Sequence, residues 1–226
     1  MSVLVVAPHP DDEVLGCGGT IAALSAQGKS VCVVVVSRGA PDLFPEAVVE
    51  ATRAELRAAH GVLGIQSCEF LDFPAPRLDR VPQHEISDAL RRVVVDLRPE
   101  LVFLPHPGDI HHDHRIAFNA SMVATRPLPG ESPRRILTYE TLSETGWSGP
   151  YPDKAFIPNV FVDIGAYLET KIEAMASYRS QLLRSPHPRS LEGIRALSAM
   201  RGHTVGLAHA EAFFSVREIV SSVDAL

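Results

Sequence analysis

The chain has 226 residues, 46% of them hydrophobic, which suits a single domain over residues 1–226 built around one well-buried core. Its formal net charge of −6, with no Lys/Arg cluster, excludes nucleic acid as the main ligand, because backbone binding needs a concentrated positive surface. Cys17, Cys32 and Cys68 are odd in number and contain no C-x-x-C pair, so neither a thiolate metal site nor a disulfide framework is predicted.

The opening MSVLVVAPHPDDE has no basic leader, and its apolar run is too short for a signal core or a membrane span. A cytoplasmic protein without an integral membrane segment is expected. Residues 3–7 form a continuous apolar run that breaks at Pro8, His9 and Pro10, the pattern of a fully buried parallel strand ending in a loop. Helical spacing follows over 14–27, with Gly28 as the stop, and a second buried strand over 31–36. The alternation continues with a helix over 45–63, a strand around Phe70, a helix over 84–97 and a strand over 101–104. This is the order of an α/β domain with a parallel sheet, where ligands bind beyond the carboxyl ends of the strands near a switch in strand order. Two histidine-rich clusters fall at that place, one after the first strand and one after the strand ending at Leu104. Pro127, Pro129, Gly130, Pro133, Gly149, Pro150 and Pro152 then frame a short strand at 136–140, and residues 126–158 read as loops over the site. A strand at 160–164, a helix at 167–182 and a Pro/Arg-rich segment at 184–189 finish the layout.

The first cluster is His9, Asp11, Asp12 and Glu13. So many carboxylates at the end of a buried strand need a counter-charge, and a divalent cation is the simplest one. Capping of the next helix accounts for one acid at most. The second cluster, Asp109-Ile110-His111-His112-Asp113-His114-Arg115, puts His111 and His114 three apart, as residues sharing a helical face would be. Two histidines and one carboxylate suit a zinc ion that keeps a position open for water, leaving one acid as base. Spacing alone does not decide which of Asp11 and Asp12 binds and which takes the proton. The same donors could bind iron, cobalt or nickel. Gly16, Gly18 and Gly19 follow two aspartates that would repel a pyrophosphate, so they are expected to pack the first helix closely on the sheet.

The run Ala7-Pro8-His9-Pro10-Asp11-Asp12-Glu13, then Gly16-Cys17-Gly18-Gly19 and His111-His112-Asp113-His114, resembles the PIG-L/LmbE-like deacetylases. That family includes the N-acetylglucosaminyl-phosphatidylinositol and thiol-cofactor-pathway deacetylases. Smaller echoes at Arg53-Ala54-Glu55, Pro158-Asn159, Lys171 with Ser180-Gln181, and Ala210-Glu211-Ala212-Phe213 extend the resemblance along the chain. It implies a Rossmann-like fold, a mostly parallel sheet flanked by helices. It implies His9, Asp12 and His114 as zinc ligands, Asp11 as general base, and His111 facing the substrate to stabilise an oxyanion. Asp113 would orient His111 and support its charged form, and Arg53 would bind a substrate hydroxyl or phosphate unless it only pairs with Glu50. The chain departs from the family pattern at His112, often proline, at Ala75, where an acid is common, and at Tyr178, often histidine. Trp147, in a Gly/Pro-rich loop, is expected to pack under that loop rather than stack on a sugar.

The expected activity is hydrolysis of an N-acyl group, foremost acetyl, from a small-molecule 2-acetamido sugar or conjugate. A zinc amidase acting on a thiol conjugate or other acyl amide and a non-catalytic sugar- or nucleotide-binding module are the rivals. Exposed apolar loops could support a homo-oligomer.

Overall fold

A computed structural model of the protein describes residues 1–128 and 132–220, so Pro129 and Gly130 of the predicted loop segment lie outside the described residues. The elements run β1 (Ser2–Ala7), α1 (Asp12–Ala26), β2 (Ser30–Gly39), α2 (Glu46–Leu63), β3 (Ser67–Ala75), α3 (Gln83–Leu97), β4 (Leu101–Pro105), α4 (His112–Ala124), β5 (Arg135–Tyr139), β6 (Val160–Asp163), α5 (Leu168–Ser177), α6 (Leu191–His203) and β7 (Ala210–Glu218).

The apolar runs form strands buried on both faces. Val3, Val5 and Ala7 of β1 enter one core cluster, while Leu4 and Val6 enter another on the opposite face. In β2, Val31, Val33 and Val35 separate from Cys32, Val34 and Val36 in the same way. Each face therefore needs a helical cover. Val14 and Ile21 of α1, Leu56 of α2 and Met175 of α5 supply one, and Ile86 and Leu90 of α3 with Ala117 of α4 supply the other. Each large aliphatic side chain so buried contributes about 1.5–3 kcal/mol.

The seven strands lie in the order β3-β2-β1-β4-β5-β7-β6. From β3 to β5 all pairings are parallel, and β7 runs antiparallel to both β5 and β6. The architecture is the Rossmann-like, mostly parallel sheet flanked by helices that the sequence implied. Because β1 sits between β2 and β4, the chain leaves it toward one edge and returns on its other side. That switch in order opens a crevice at the carboxyl ends of β1 and β4. Among the described residues, no helix is long and apolar enough to cross a membrane.

Three elements differ from the sequence reading. The helix predicted over 167–182 ends at Ser177, where Tyr178 leaves helical geometry and Glu55 of α2 captures Ser180 through its N–H and Oγ. Helix α6, capped by Ser190 Oγ on the Gly193 N–H, and strand β7 were not foreseen.

Helix α1 is held close to its neighbours. A Cβ on Gly16 would stand 2.2 Å from the Tyr139 ring, and one on Gly19 would stand 2.8 Å from Ile164, so close packing is the role of these glycines. The helix is also tied by a buried ion pair. Lys171 Nζ lies 2.6 Å from Glu211 Oε1 and donates to the Leu15 carbonyl, while Glu211 accepts the Gly19 and Thr20 N–H groups at 2.8 and 2.7 Å.

Candidate metal centre and active site

The turn from β1 into α1 is short and strained. The Pro8 carbonyl accepts both the N–H and Oγ of Ser37 on β2, which pins the loop at the end of the strand. Asp11 then adopts φ 107°, a left-handed value that costs a non-glycine residue about 1–3 kcal/mol. Its N–H is held by Glu13 Oε2 at 3.2 Å, and its carbonyl accepts the first N–H groups of α1. Glu13 is itself fully buried, with Oε1 accepting Tyr178 Oη–H at 2.6 Å and facing His60 Nε2 at 3.2 Å. The clamp on Asp11 thus reaches into α2 and the end of α5.

Asp11 occupies the N-cap position of α1, yet its side chain makes no capping hydrogen bond. Its Oδ2 is buried with no hydrogen-bond partner, and the nearest cation, Arg189 Nη1, is 3.5 Å away. Burial and the adjacent Asp12 charge push the Asp11 carboxyl well above the usual carboxylate range, against the pull of Arg189.

Helix α4 brings the second cluster to the same place. Asp12 Oδ2 lies 3.3 Å from His9 Nδ1 and 3.2 Å from His114 Nε2, although 102 residues separate Asp12 from His114. The other nitrogen of each imidazole meets a carboxylate. His9 Nε2 is 3.2 Å from Asp113 Oδ2, and His114 Nδ1 is 2.8 Å from Asp109 Oδ2. Asp113 Oδ1 also accepts the Leu78 N–H, and Asp109 Oδ1 accepts Thr145 Oγ1–H.

This arrangement fits a divalent transition-metal ion. Donor atoms about 2.0–2.1 Å from a tetrahedral centre stand about 3.3 Å apart, the spacing seen around Asp12. One donor from each of His9, Asp12 and His114 lies within 4.8 Å of the others. Histidine ligands also characteristically give their second nitrogen to a carboxylate, as both do here. Charge balance points the same way. Burial lowers the His9 pKa, but the hydrogen bonds its ring donates to Asp113 and Asp12 outweigh it and lift it to about 9. Burial likewise raises Asp12, and the His114 and His9 imidazoles reverse it to a value far below the usual range. The acids thus call for positive charge, which a dication supplies without protons.

Asp113 does not sit as the sequence suggested. Its carboxylate is spent on His9 and Leu78, and only its backbone N–H reaches His111, donating to Nδ1 at 3.2 Å. Burial, then the neighbouring His9 and His114, bring His111 down to about 4, so it stands neutral rather than charged. With Nδ1 accepting, the neutral ring carries its hydrogen on Nε2.

His9, Asp11, Asp12, His111 and His114 all line one cavity of about 330 Å³. Arg53 lines it too, but is already tied to Asp72 and stands 3.6 Å from Glu50, with its guanidinium 4.4 Å over the Phe70 ring. Within the predicted loops of 126–158, residues 141–144 reach the cavity, with Glu144 among them. Trp147 does not pack under its loop. It is 54% exposed and meets His187 edge-on. His112 faces solvent, so its departure from the family pattern leaves the site untouched. Asp109 and Arg189 went unassigned in the sequence. Asp109 stood inside the quoted cluster five residues before His114, whereas nothing near Arg189 signals its approach to Asp11.

The model of the GlcNAc-PI de-N-acetylase family (PIG-L) matches residues 4–125, which include both clusters. The deacetylase YaiS of Escherichia coli (strain K12) is 29% identical over 184 residues, 79% of this chain and 90% of that protein. Diacetylchitobiose deacetylase of Thermococcus kodakarensis is 29% identical over 193 residues, 79% and 69% of the two chains. Among solved structures, the conserved protein TT1542 of Thermus thermophilus aligns with a TM-score of 0.76 at 31% identity, over 98% of this chain and 97% of that one.

Proposed function

The chain belongs to the GlcNAc-PI de-N-acetylase family, and we propose that it hydrolyses the N-acetyl group of a 2-acetamido sugar or sugar conjugate, releasing a free amine and acetate. The observation that carries this reading is the pairing of two features in one cavity: a carboxylate oxygen of Asp11 that is buried without a hydrogen bond, and beside it a donor set that fits a dication. A helix-capping carboxylate would be hydrogen-bonded to the first turn of α1, and this one is not. Deacetylases among the relatives support the choice of an acetamido substrate.

His9, Asp12 and His114 would hold the ion, with zinc as the proposed metal. Bound there, it would supply Lewis-acid polarisation of the acyl carbonyl and make water acidic enough to attack near neutral pH. Asp11 accepts the proton of the attacking water, since its Oδ2 lies in the cavity beside the donor set with no hydrogen bond of its own. The same proton is then available to the departing amine. His111 offers its Nε2–H to the oxygen that becomes negative in the tetrahedral transition state, a neutral donor held by the Asp113 N–H. Asp113 and Asp109 orient His9 and His114 so that the remaining nitrogens face Asp12. Arg53 and residues 141–144 border the space where the sugar would lie.

Acetate release from a panel of N-acetylglucosaminides by zinc-loaded protein tests the proposal. Activity is expected in the wild type and lost in Asp11→Ala and His114→Ala. Undiminished turnover in both variants would overturn it.

A further inference from the structure

The cavity has a second wall, away from the metal donors, and its chemistry points to what the substrate carries beyond the acetamido ring. Phe44, Val48, Val49, Phe70, Ala75 and Pro76 form this wall. Phe44 and Val48 are 39% and 47% exposed, apolar surface left to water at the side of a functional cavity. Scattered exposed apolar residues are ordinary, but these two share one concave site with four further apolar neighbours.

Of the three arginines that line the cavity, Arg189 stands beside Asp11, and the two near this wall face carboxylates of the chain. Arg38 is turned to Glu46, and Arg53 to Asp72 and Glu50, with the guanidinium face of Arg53 lying on Phe70. A dianionic group bound here would have to compete with those carboxylates. Arg38 Nε is buried without a partner, a single donor that suffices for one neutral oxygen. Ala75, the position where the chain lacks the acid common in the family pattern, lies in the same wall and presents only a methyl group.

Resting on the deacetylase reading, we infer that the substrate is an N-acetylated amino sugar bearing an uncharged apolar group, aromatic or short alkyl, which docks on the wall of Phe44, Val48 and Phe70, and that the site discriminates against phosphate- or carboxylate-bearing conjugates. Contact with Phe44 and Val48 removes their apolar surface from water, whereas an anion would lie against apolar side chains and would have to draw Arg38 and Arg53 from the carboxylates they face.

Binding and turnover test this separately. Calorimetric titration with phenyl glucosaminide and glucosamine 1-phosphate, deacetylated compounds that offer no acetyl group to hydrolyse, ranks the subsite without catalysis. The phenyl derivative is expected to bind at least tenfold more tightly. Val48→Asp and Phe44→Asn, both at exposed positions, should each narrow that ratio to threefold or less, while Val95→Asp on the outer side of α3 should preserve it. Equal or tighter binding of the 1-phosphate, no measurable binding of the phenyl compound, or an unchanged ratio in both wall variants would overturn the inference. Acetate release from the N-acetylated pair tests the deacetylase reading alone, and its absence would leave the binding ratio to decide the subsite.

Discussion

Substitution of Asp109 by asparagine isolates the support given to His114 while keeping its shape. The Asp109 carboxylate lies 2.8 Å from His114 Nδ1 and takes a second hydrogen bond from Thr145 Oγ1. An asparagine carbonyl can still accept from Nδ1–H, and the Thr145 hydroxyl can rotate to accept from the amide, so the ring keeps its tautomer and orientation. What is lost is charge. Hydrogen bonds to a charged partner contribute about 1.5–3 kcal/mol and neutral ones about 0.5–1.5, a difference of about 1–1.5 kcal/mol. At about 1.4 kcal/mol per factor of ten, zinc affinity should fall about tenfold in Asp109→Asn. Asp109→Ala removes the orienting contact as well and should approach the hundredfold end of the range for such supporting groups. Competition with a chromophoric chelator measures both affinities directly. Zinc binding within twofold of wild type in both variants would refute His114 as a ligand, since a ligand cannot be indifferent to the partner of its other nitrogen.

Asp11→Asn should lower kcat by about 10²–10⁴, the range for loss of a general base, with bound zinc per chain unchanged by elemental analysis. Lys171→Met leaves the Glu211 carboxylate buried without its cation and should destabilise the fold by about 3–5 kcal/mol, read as a fall in Tm of about 6–10 °C for a chain of this length. The double variant Lys171→Met with Glu211→Gln should recover part of that loss, and strict additivity in the melts would contradict the coupling. Gly16→Ala drives a methyl into the Tyr139 ring, which is fully buried and anchored by its hydroxyl on the Val6 carbonyl, and should cost about 1–3 kcal/mol in denaturant titration.

The sequence disclosed the centre of the sheet because its strands are written locally, and the meeting of the two clusters because each directly follows one of those strands. The run before Pro8 is apolar at every position, as only a strand covered on both faces allows, and the acids and histidines follow it directly. Elements set by distant partners were hidden. Strand β7 carries Glu211 in its interior, a poor strand signal until Lys171, 40 residues earlier, is seen to neutralise it. The end of α5 is decided by Glu55 and Glu13, 125 and 165 residues from the groups they hold. The family resemblance implied that Asp113 orients His111. The fold sets the start of α4 beside the turn that follows β1, which gives its carboxylate His9 instead, 104 residues away.

The ties that cross from the second half of the chain into α1 bear on how such a protein can be divided. A polypeptide stopping at residue 125 would contain each proposed ligand and the base. It would lack the acceptor that Glu211 gives the Gly19 and Thr20 amides, and the tyrosine that steadies Glu13 beneath Asp11. The reactive half is thus not a transplantable module: grafting the two motifs onto another scaffold would require carrying over their remote anchors as well.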